Sequence, residues 1–100
     1  MRTLFLKPQA RLDLLEIWNH LAEESFDAAI RFNLRVDADL EALKKTPGLG
    51  HFRRDLTKRD IRFWTVFSWF IVYRFDEEQV TILRVIHGMR DLKRILRGLK

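Results

Sequence analysis

Five side chains in the second half of the chain have types that could support phosphodiester chemistry. They are Arg62, Tyr73, Arg84, His87 and Arg90. Cleavage of RNA through its ribose 2′-hydroxyl requires a general base, a general acid and cations that stabilise the charged phosphorane. His87 could exchange a proton near neutral pH, and Arg84 and Arg90 could hold a phosphate. These last three residues are therefore the catalytic set that a ribonuclease would use here.

Three of these residues also have a structural interpretation. His87 lies at a predicted strand end, where a histidine is more often a hydrogen-bonded structural side chain. Arg84 interrupts an apolar strand and could pair with a helix carboxylate, either Asp13 or Glu16. Tyr73 lies in the most apolar run, where an aromatic side chain usually belongs to the core. Since the set offers several cations but at most one acid–base group, the sequence favours a binding protein over an enzyme.

The sequence predicts neither a metal site nor a cofactor site. His20 and His51 have no partners at the spacing of metal ligands. Gly48 and Gly50 lack the Lys-Ser/Thr pair that completes a phosphate-binding loop. The chain has no cysteine, which excludes disulfides and thiolate metal sites and fits a reducing compartment.

Three short runs, rich in β-branched and aromatic residues, must position the candidate side chains. Ile61–Val66, Trp69–Phe75 and Val80–His87 each predict a strand. Phe67-Ser68 separates the first two runs and Asp76–Gln79 the last two, so the three form an antiparallel meander. The middle run is apolar on both parities, which predicts a strand covered by protein on both faces.

The first half of the chain predicts a short strand and two helices. Thr3–Leu6 is expected to join the sheet beside a later strand. Helical spacing runs from Gln9 to Glu24, and Ser25 can cap a second helix that ends at Lys45. The link between the helices is very short, so they fold back as an antiparallel hairpin. The first helix is expected to bury Leu14, Leu15, Trp18, Leu21 and Ala22 and to expose Asp13 and Glu16.

The remaining segments complete an α+β fold. Pro47–Arg59 is predicted to be a basic loop, and the leucines and isoleucine of Leu92–Leu99 predict a short C-terminal helix. The predicted architecture is a strand, an antiparallel helical hairpin, a three-stranded antiparallel meander and a short C-terminal helix. The length of 100 residues predicts a single domain spanning residues 1–100.

Composition and charge limit the classes of partner. The hydrophobic content of 47% excludes a disordered chain. The longest apolar run is interrupted by Thr65 and Ser68, and we see no signal peptide, so we expect a cytoplasmic protein without a membrane span.

The charge is unevenly distributed along the chain. Residues 1–50 hold seven Lys/Arg and eight Asp/Glu, a net charge of −1. Residues 51–100 hold twelve Lys/Arg and six Asp/Glu, a net charge of +6. This asymmetry predicts an acidic partner, either nucleic acid or an acidic protein segment.

Four segments of the sequence resemble a known family. They are DLLEIWNHLAEES (Asp13–Ser25), LEALKKTPGLG (Leu40–Gly50), IRFWTVFSWFIVYR (Ile61–Arg74) and ILRVIHGMRDL (Ile82–Leu92). In this order and with these intervals they resemble the ParE-type toxins of the RelE/ParE superfamily, the toxic half of a two-gene toxin–antitoxin module. Two positions depart from the family pattern. Lys7 stands where a serine-like cap normally precedes the proline, and Phe67-Ser68 stands where the turn often carries glycine.

The resemblance implies a function and its partners. ParE-like toxins inhibit DNA gyrase and are wrapped by a cognate ParD-like antitoxin, which here is expected to cover the helical hairpin and a sheet edge. The alternatives are a RelE-like ribosome-dependent ribonuclease and a module that only binds its partner. Direct nucleic-acid binding is not expected outside the antitoxin complex, because no recognition helix is evident and the exposed faces of the long helices are acidic or neutral. The residues expected to contact the target or the antitoxin are Arg53, Arg54, Arg62, Arg84, Arg90 and Arg94.

Overall fold

The computed structural model describes residues 2–99 as a helical hairpin packed on a four-stranded sheet. The elements are β1 (Thr3–Leu6), α1 (Pro8–Glu24), α2 (Phe26–Lys45), a 3-10 turn (Pro47–Leu49), β2 (Arg62–Val66), β3 (Trp69–Phe75), β4 (Gln79–His87) and α3 (Leu92–Arg97). The strand order is β1-β4-β3-β2, with β1 parallel to β4 and the other pairs antiparallel. The predicted α+β fold and its meander are confirmed, and the first strand joins the sheet at β4.

The predicted element bounds agree with the structure to within a few residues. The strand β3 matches its prediction at both ends, whereas β2 begins one residue later and β4 one residue earlier than predicted. The predicted loop at residues 47–59 contains the 3-10 turn, and His51 forms an isolated bridge with Phe63 of β2. This bridge exchanges two backbone hydrogen bonds of 2.8 and 2.9 Å.

Protein covers both faces of the sheet, as the apolar pattern of β3 predicted. On one face, Ile71 and Tyr73 pack in a cluster with residues of α1 and α2. On the other face, Val72 packs in a second cluster with Leu92 and Leu96 of α3. Among residues 2–99, no helix is both long enough and apolar enough to cross a bilayer.

The predicted buried stripe of α1 is wrong in part. Asp13 was expected on the exposed side but is buried, whereas Leu15 was expected in the core and is 55% exposed. The buried residues of α1 are instead Ala10, Asp13 and Ile17, at i, i+3 and i+7. This helix packs against both α2 and β4, so two of its faces are partly covered. An acidic side chain can be buried on the face of α1 that packs against β4, because a basic side chain of β4 forms an ion pair with it.

Both departures from the family pattern have visible consequences. Lys7 gives α1 no side-chain cap, whereas the hydroxyl of Ser25 accepts a hydrogen bond of 3.2 Å from the amide of Ala28 at the start of α2. In the β2–β3 turn, Phe67 adopts a left-handed conformation with φ of 53°. Such a conformation costs a side-chain-bearing residue about 1–2 kcal/mol, which is why glycine suits this turn.

A β-bulge in β4 accounts for the arginine in an apolar strand. Val72 pairs with Arg84 and Tyr73 pairs with Ile82, so Leu83 is the extra residue. The bulge shifts by one position the alternation of β4 side chains between the two faces of the sheet. Ile82 and Val85, which are three residues apart, consequently both lie in the cluster under α1 and α2. Bulges re-aim side chains locally, and here the bulge lies beside the guanidinium that reaches α1.

Candidate functional site

Arg84 forms a buried ion pair with α1. Its Nε donates to Oδ2 of Asp13 at 2.8 Å, and one terminal nitrogen donates to Oδ1 at 3.1 Å. The backbone amide of Val85 also donates to Asp13 Oδ2, at 2.9 Å. The side chains of Arg84 and Asp13 are only 18% and 6% exposed. The interpretation of Arg84 as the partner of a helix carboxylate is confirmed, and a ligand could use its guanidinium only by competing with Asp13.

The same ion pair sets α1 against β4 and thereby creates a cleft. His20 lies seven residues after Asp13 on α1, about 10.5 Å along the helix axis. His87 lies three residues after Arg84 on β4, about 10 Å along the strand. Both imidazoles consequently line one open cleft of about 470 Å³, together with Glu16, Trp69 and Arg90, which we call the histidine cleft. The cleft brings together two predicted site residues, His87 and Arg90, and adds His20, which the sequence interpretation set aside.

The imidazole of His87 is fixed at one nitrogen. Its Nδ1 accepts a hydrogen bond of 3.1 Å from the amide of Met89, so the neutral ring carries its proton on Nε2. The ring also meets the indole of Trp69 edge to face, with centroids 5.2 Å apart. The structural interpretation of His87 as a satisfied strand-end side chain therefore agrees with these contacts, while Nε2 has no hydrogen-bond partner among the contacts of residues 2–99.

Tyr73 is a core residue and does not reach the cleft. Its hydroxyl donates to the carbonyl of Pro47 at 2.6 Å and accepts from the amide of Gly50 at 2.8 Å. Burial raises the pKa of Tyr73 above its ordinary value, although the hydrogen bond from Gly50 and the charge of Arg62 oppose the rise. A phenol held in this way stays protonated at neutral pH, and so it cannot act as a general base.

Arg54 and Arg62 hold an exposed aromatic ring between them. The guanidinium carbons lie 4.3 and 4.2 Å from the ring centroid of Phe52. Arg62 also donates to the carbonyl of Gly50 at 2.9 Å, and Arg54 donates to the carbonyl of Lys58 at 2.9 Å. Both arginines therefore organise the loop that follows the 3-10 turn, and each still presents positive charge at the surface.

Arg53, Arg90 and Arg94 lie in three different places. Arg53 forms a bidentate pair with Asp55 at 2.9 and 3.0 Å, and this hydrogen bonding lowers the pKa of Asp55. Arg90 lines the histidine cleft. Arg94 is exposed on α3. The six predicted contact arginines thus do not converge on one surface, and their contact roles stay predictions.

A groove between the two long helices exposes apolar side chains. It has a volume of about 420 Å³ and is lined by Leu6, Leu14, Leu15, Trp18, Asn33, Val36, Asp37 and Leu40. We call it the hairpin groove. Along α2, Phe26, Ile30 and Leu34 form a stripe at i, i+4 and i+8 that is between 37% and 65% exposed. A stripe of this size beside a groove is typical of a surface that binds an amphipathic partner.

An open strand edge adjoins the hairpin groove. The amides of Thr3 and Lys7 donate to carbonyls of Glu78 and Ile82 on the β4 side. Since successive backbone groups of a strand alternate in direction, Leu4 and Leu6 turn theirs to the outer edge of β1. The other edge of the sheet, β2, is partly occupied by the bridge to His51. The β1 edge is therefore the better place for an added strand.

Nothing in the described range resembles a metal centre. Within residues 2–99, no three histidine or acidic side chains converge closely enough to hold an ion. Of the two carboxylates in this range that line the histidine cleft, Asp13 and Glu16, the first is committed to Arg84.

The fold and these surfaces define a small α+β protein with a helical hairpin over a mixed sheet. A solved structure described as the chromosomal ParDE TA system from P. aeruginosa has the same fold, with a TM-score of 0.73. The match covers 87% of this chain and 96% of that chain at 19% sequence identity.

The sequence comparisons give the family. Residues 4–92 match the family model described as ParE toxin of type II toxin-antitoxin system, parDE. The chain therefore belongs to the ParE toxin family. It is also 34% identical over 58 residues to Toxin ParE3 of Caulobacter vibrioides. That alignment covers 58% of this chain and 57% of the relative, so the chain matches little more than half of that protein.

Proposed function

We propose that this protein inhibits DNA gyrase by binding it and that a ParD-like antitoxin neutralises it in the cytoplasm. The observation that carries the proposal is membership of the ParE toxin family across residues 4–92. The described surface supports binding over bond chemistry, because Tyr73 and Arg84 are both committed to the fold. The test is a supercoiling assay with purified gyrase, in which folded toxin blocks the reaction and added antitoxin restores it. Failure of folded toxin to block supercoiling would contradict the proposed target.

The antitoxin is proposed to cover the hairpin groove and the adjoining β1 edge. An amphipathic helix would bury its apolar face against Leu15 and Trp18, while an extended segment would pair with the free backbone groups of Leu4 and Leu6. These two sites are continuous, since Leu6 of β1 also lines the groove. A single antitoxin tail could therefore occupy both.

Replacing Leu15 with glutamate tests this docking site. Leu15 is 55% exposed, so the change should not unfold the chain, but a buried unpaired carboxylate in the complex is costly. We expect the antitoxin Kd to rise about 30-fold, equivalent to about 2 kcal/mol, in a calorimetric titration. The matched control is Met89→Glu, which adds the same charge at a residue that is 87% exposed on the β4–α3 turn. An equal loss of antitoxin affinity in the two variants would mean that the antitoxin binds elsewhere.

The histidine cleft supports a second candidate function, ribosome-dependent RNA cleavage. His87 and His20 could act as base and acid, and Arg90 could stabilise the developing charge on the phosphorane. Alanine at both histidines should then abolish mRNA cleavage by toxin-treated ribosomes and leave the antitoxin Kd unchanged. Cleavage that persists in this variant, or is absent from the wild type, would remove the candidate.

A further inference from the structure

A basic cleft lies on the other face of the sheet from the hairpin groove. It is formed between the loop after the 3-10 turn and α3, and its volume is about 370 Å³. Its lining consists of Arg54, Asp55, Leu56, Thr57, Lys58, Lys93 and Arg97. We call it the loop–α3 cleft. Four of these side chains are cationic and one is a carboxylate, and that carboxylate is already paired with Arg53.

The two walls of the loop–α3 cleft are fixed to one another. Arg59 donates to the carbonyl of Leu99 at 2.6 Å and to that of Leu96 at 3.4 Å, which ties the loop to the end of α3. Within the loop, Arg54 donates to the carbonyls of Lys58 and Arg59 at 2.9 and 3.2 Å. On the helix, Lys93 and Arg97 are four residues apart and share one face. The backbone segments that carry the four cations are therefore held in place before any ligand arrives, and the four side chains line one cleft.

We propose that the loop–α3 cleft binds the phosphate backbone of nucleic acid directly. A protein partner would need an apolar centre, and lysine is depleted at the centre of protein interfaces. Among the described residues of the lining, Leu56 is the one aliphatic residue, and two of the four cations are lysines. Phosphate backbones are contacted by Lys and Arg without sequence preference, and the energy comes from released counterions.

Nucleic-acid binding at the loop–α3 cleft departs from the expectation drawn from the long helices, and it does not depend on the proposed gyrase target. The acidic or neutral faces of α1 and α2 lie on the opposite side of the sheet from α3. The molecule measures 37 × 32 × 21 Å, so opposite faces are separated by more than a Debye length of about 8 Å at physiological salt. Repulsion by the hairpin therefore does not reach the loop–α3 cleft.

The test measures binding of the isolated full chain to a labelled DNA duplex at several salt concentrations. The variant Lys58→Gln/Lys93→Gln/Arg97→Gln spares Arg54, which supports the loop. We expect its affinity to fall about ten- to a hundredfold at about 0.1 M salt, and the slope of log K against log salt to shrink by about 2–3. The same titrations with single-stranded DNA and with RNA of the same length show which nucleic acid the protein binds most tightly.

The control variant Arg11→Gln/Arg31→Gln/Lys45→Gln removes the same charge from exposed positions on the hairpin. It should keep nearly the wild-type affinity and slope. The proposal is overturned if the wild type does not bind any of the nucleic acids, or if the cleft variant retains the wild-type slope. It is also overturned if both triple variants lose the same amount of affinity for nucleic acid. A polyglutamate of equal charge that binds as tightly as the nucleic acid, and whose binding depends on the same three residues, would overturn it too.

Discussion

Replacing Asp13 with alanine should lower the free energy of unfolding by about 3–5 kcal/mol. The change removes four hydrogen bonds, two from Arg84 and one each from Val85 and Gln9, and leaves the largely buried guanidinium of Arg84 without its counter-charge. A domain of this size is typically stable by only about 5–15 kcal/mol, so a large part of its stability would be lost. Urea unfolding followed by tryptophan fluorescence measures the effect.

Two further variants show that the loss comes from the unpaired charge. Glu16→Ala removes an exposed carboxylate one turn along α1 and should change the stability by less than about 0.5 kcal/mol. The double variant Asp13→Leu/Arg84→Met replaces the pair by apolar side chains and should recover part of the loss, because the unpaired charge is gone while the amide of Val85 still lacks its acceptor. An Asp13→Ala protein as stable as the Glu16→Ala protein would contradict the role of this pair in fixing α1 on β4.

Replacing Gly50 with alanine should destabilise the chain by about 2–4 kcal/mol, because no space exists for a side chain there. An added Cβ would clash with the hydroxyl of Tyr73 and lie 2.7 Å from Cε1 of the ring. To make room, the ring would have to give up its hydrogen bonds to Gly50 and Pro47, which hold the loop on β3. The same unfolding experiment measures this change.

The neighbouring glycine provides the control for this prediction. Gly48 has no atom within 4 Å of the position that its Cβ would take. Neither glycine has a positive φ, so the two positions differ in space and not in backbone conformation. Gly48→Ala should therefore be neutral or slightly stabilising. A loss of the same size in both variants would mean that general loop rigidity, and not the contact with Tyr73, causes the effect.

The sequence predicts the local elements well because their determinants are local. The strand β3 was predicted at both ends, since its apolar parities and flanking turn residues are visible within a few positions. The hydroxyl cap of Ser25 was predicted for the same reason. The family resemblance also came from the sequence, because it depends on the order and spacing of several short segments.

The side chains of the candidate site were harder to predict because they meet across long sequence separations. The pairing of Arg84 was anticipated only as a choice between Asp13 and Glu16, since the rotation of α1 on the sheet was unknown. Once Asp13 is fixed, the helical rise places His20 in the same cleft as His87. The bulge at Leu83 carries no strong sequence signal, yet it decides which β4 residues face α1.

One measurement tests most directly whether this protein acts by binding and not by bond chemistry. Gyrase supercoiling is titrated with the wild-type chain and with His20→Ala/His87→Ala, both checked for folding by circular dichroism. The account predicts inhibition by both proteins at the same concentration, because neither imidazole is among the residues predicted to contact the target. Loss of inhibition in the double variant, or no inhibition by the folded wild type at micromolar concentration, would contradict it.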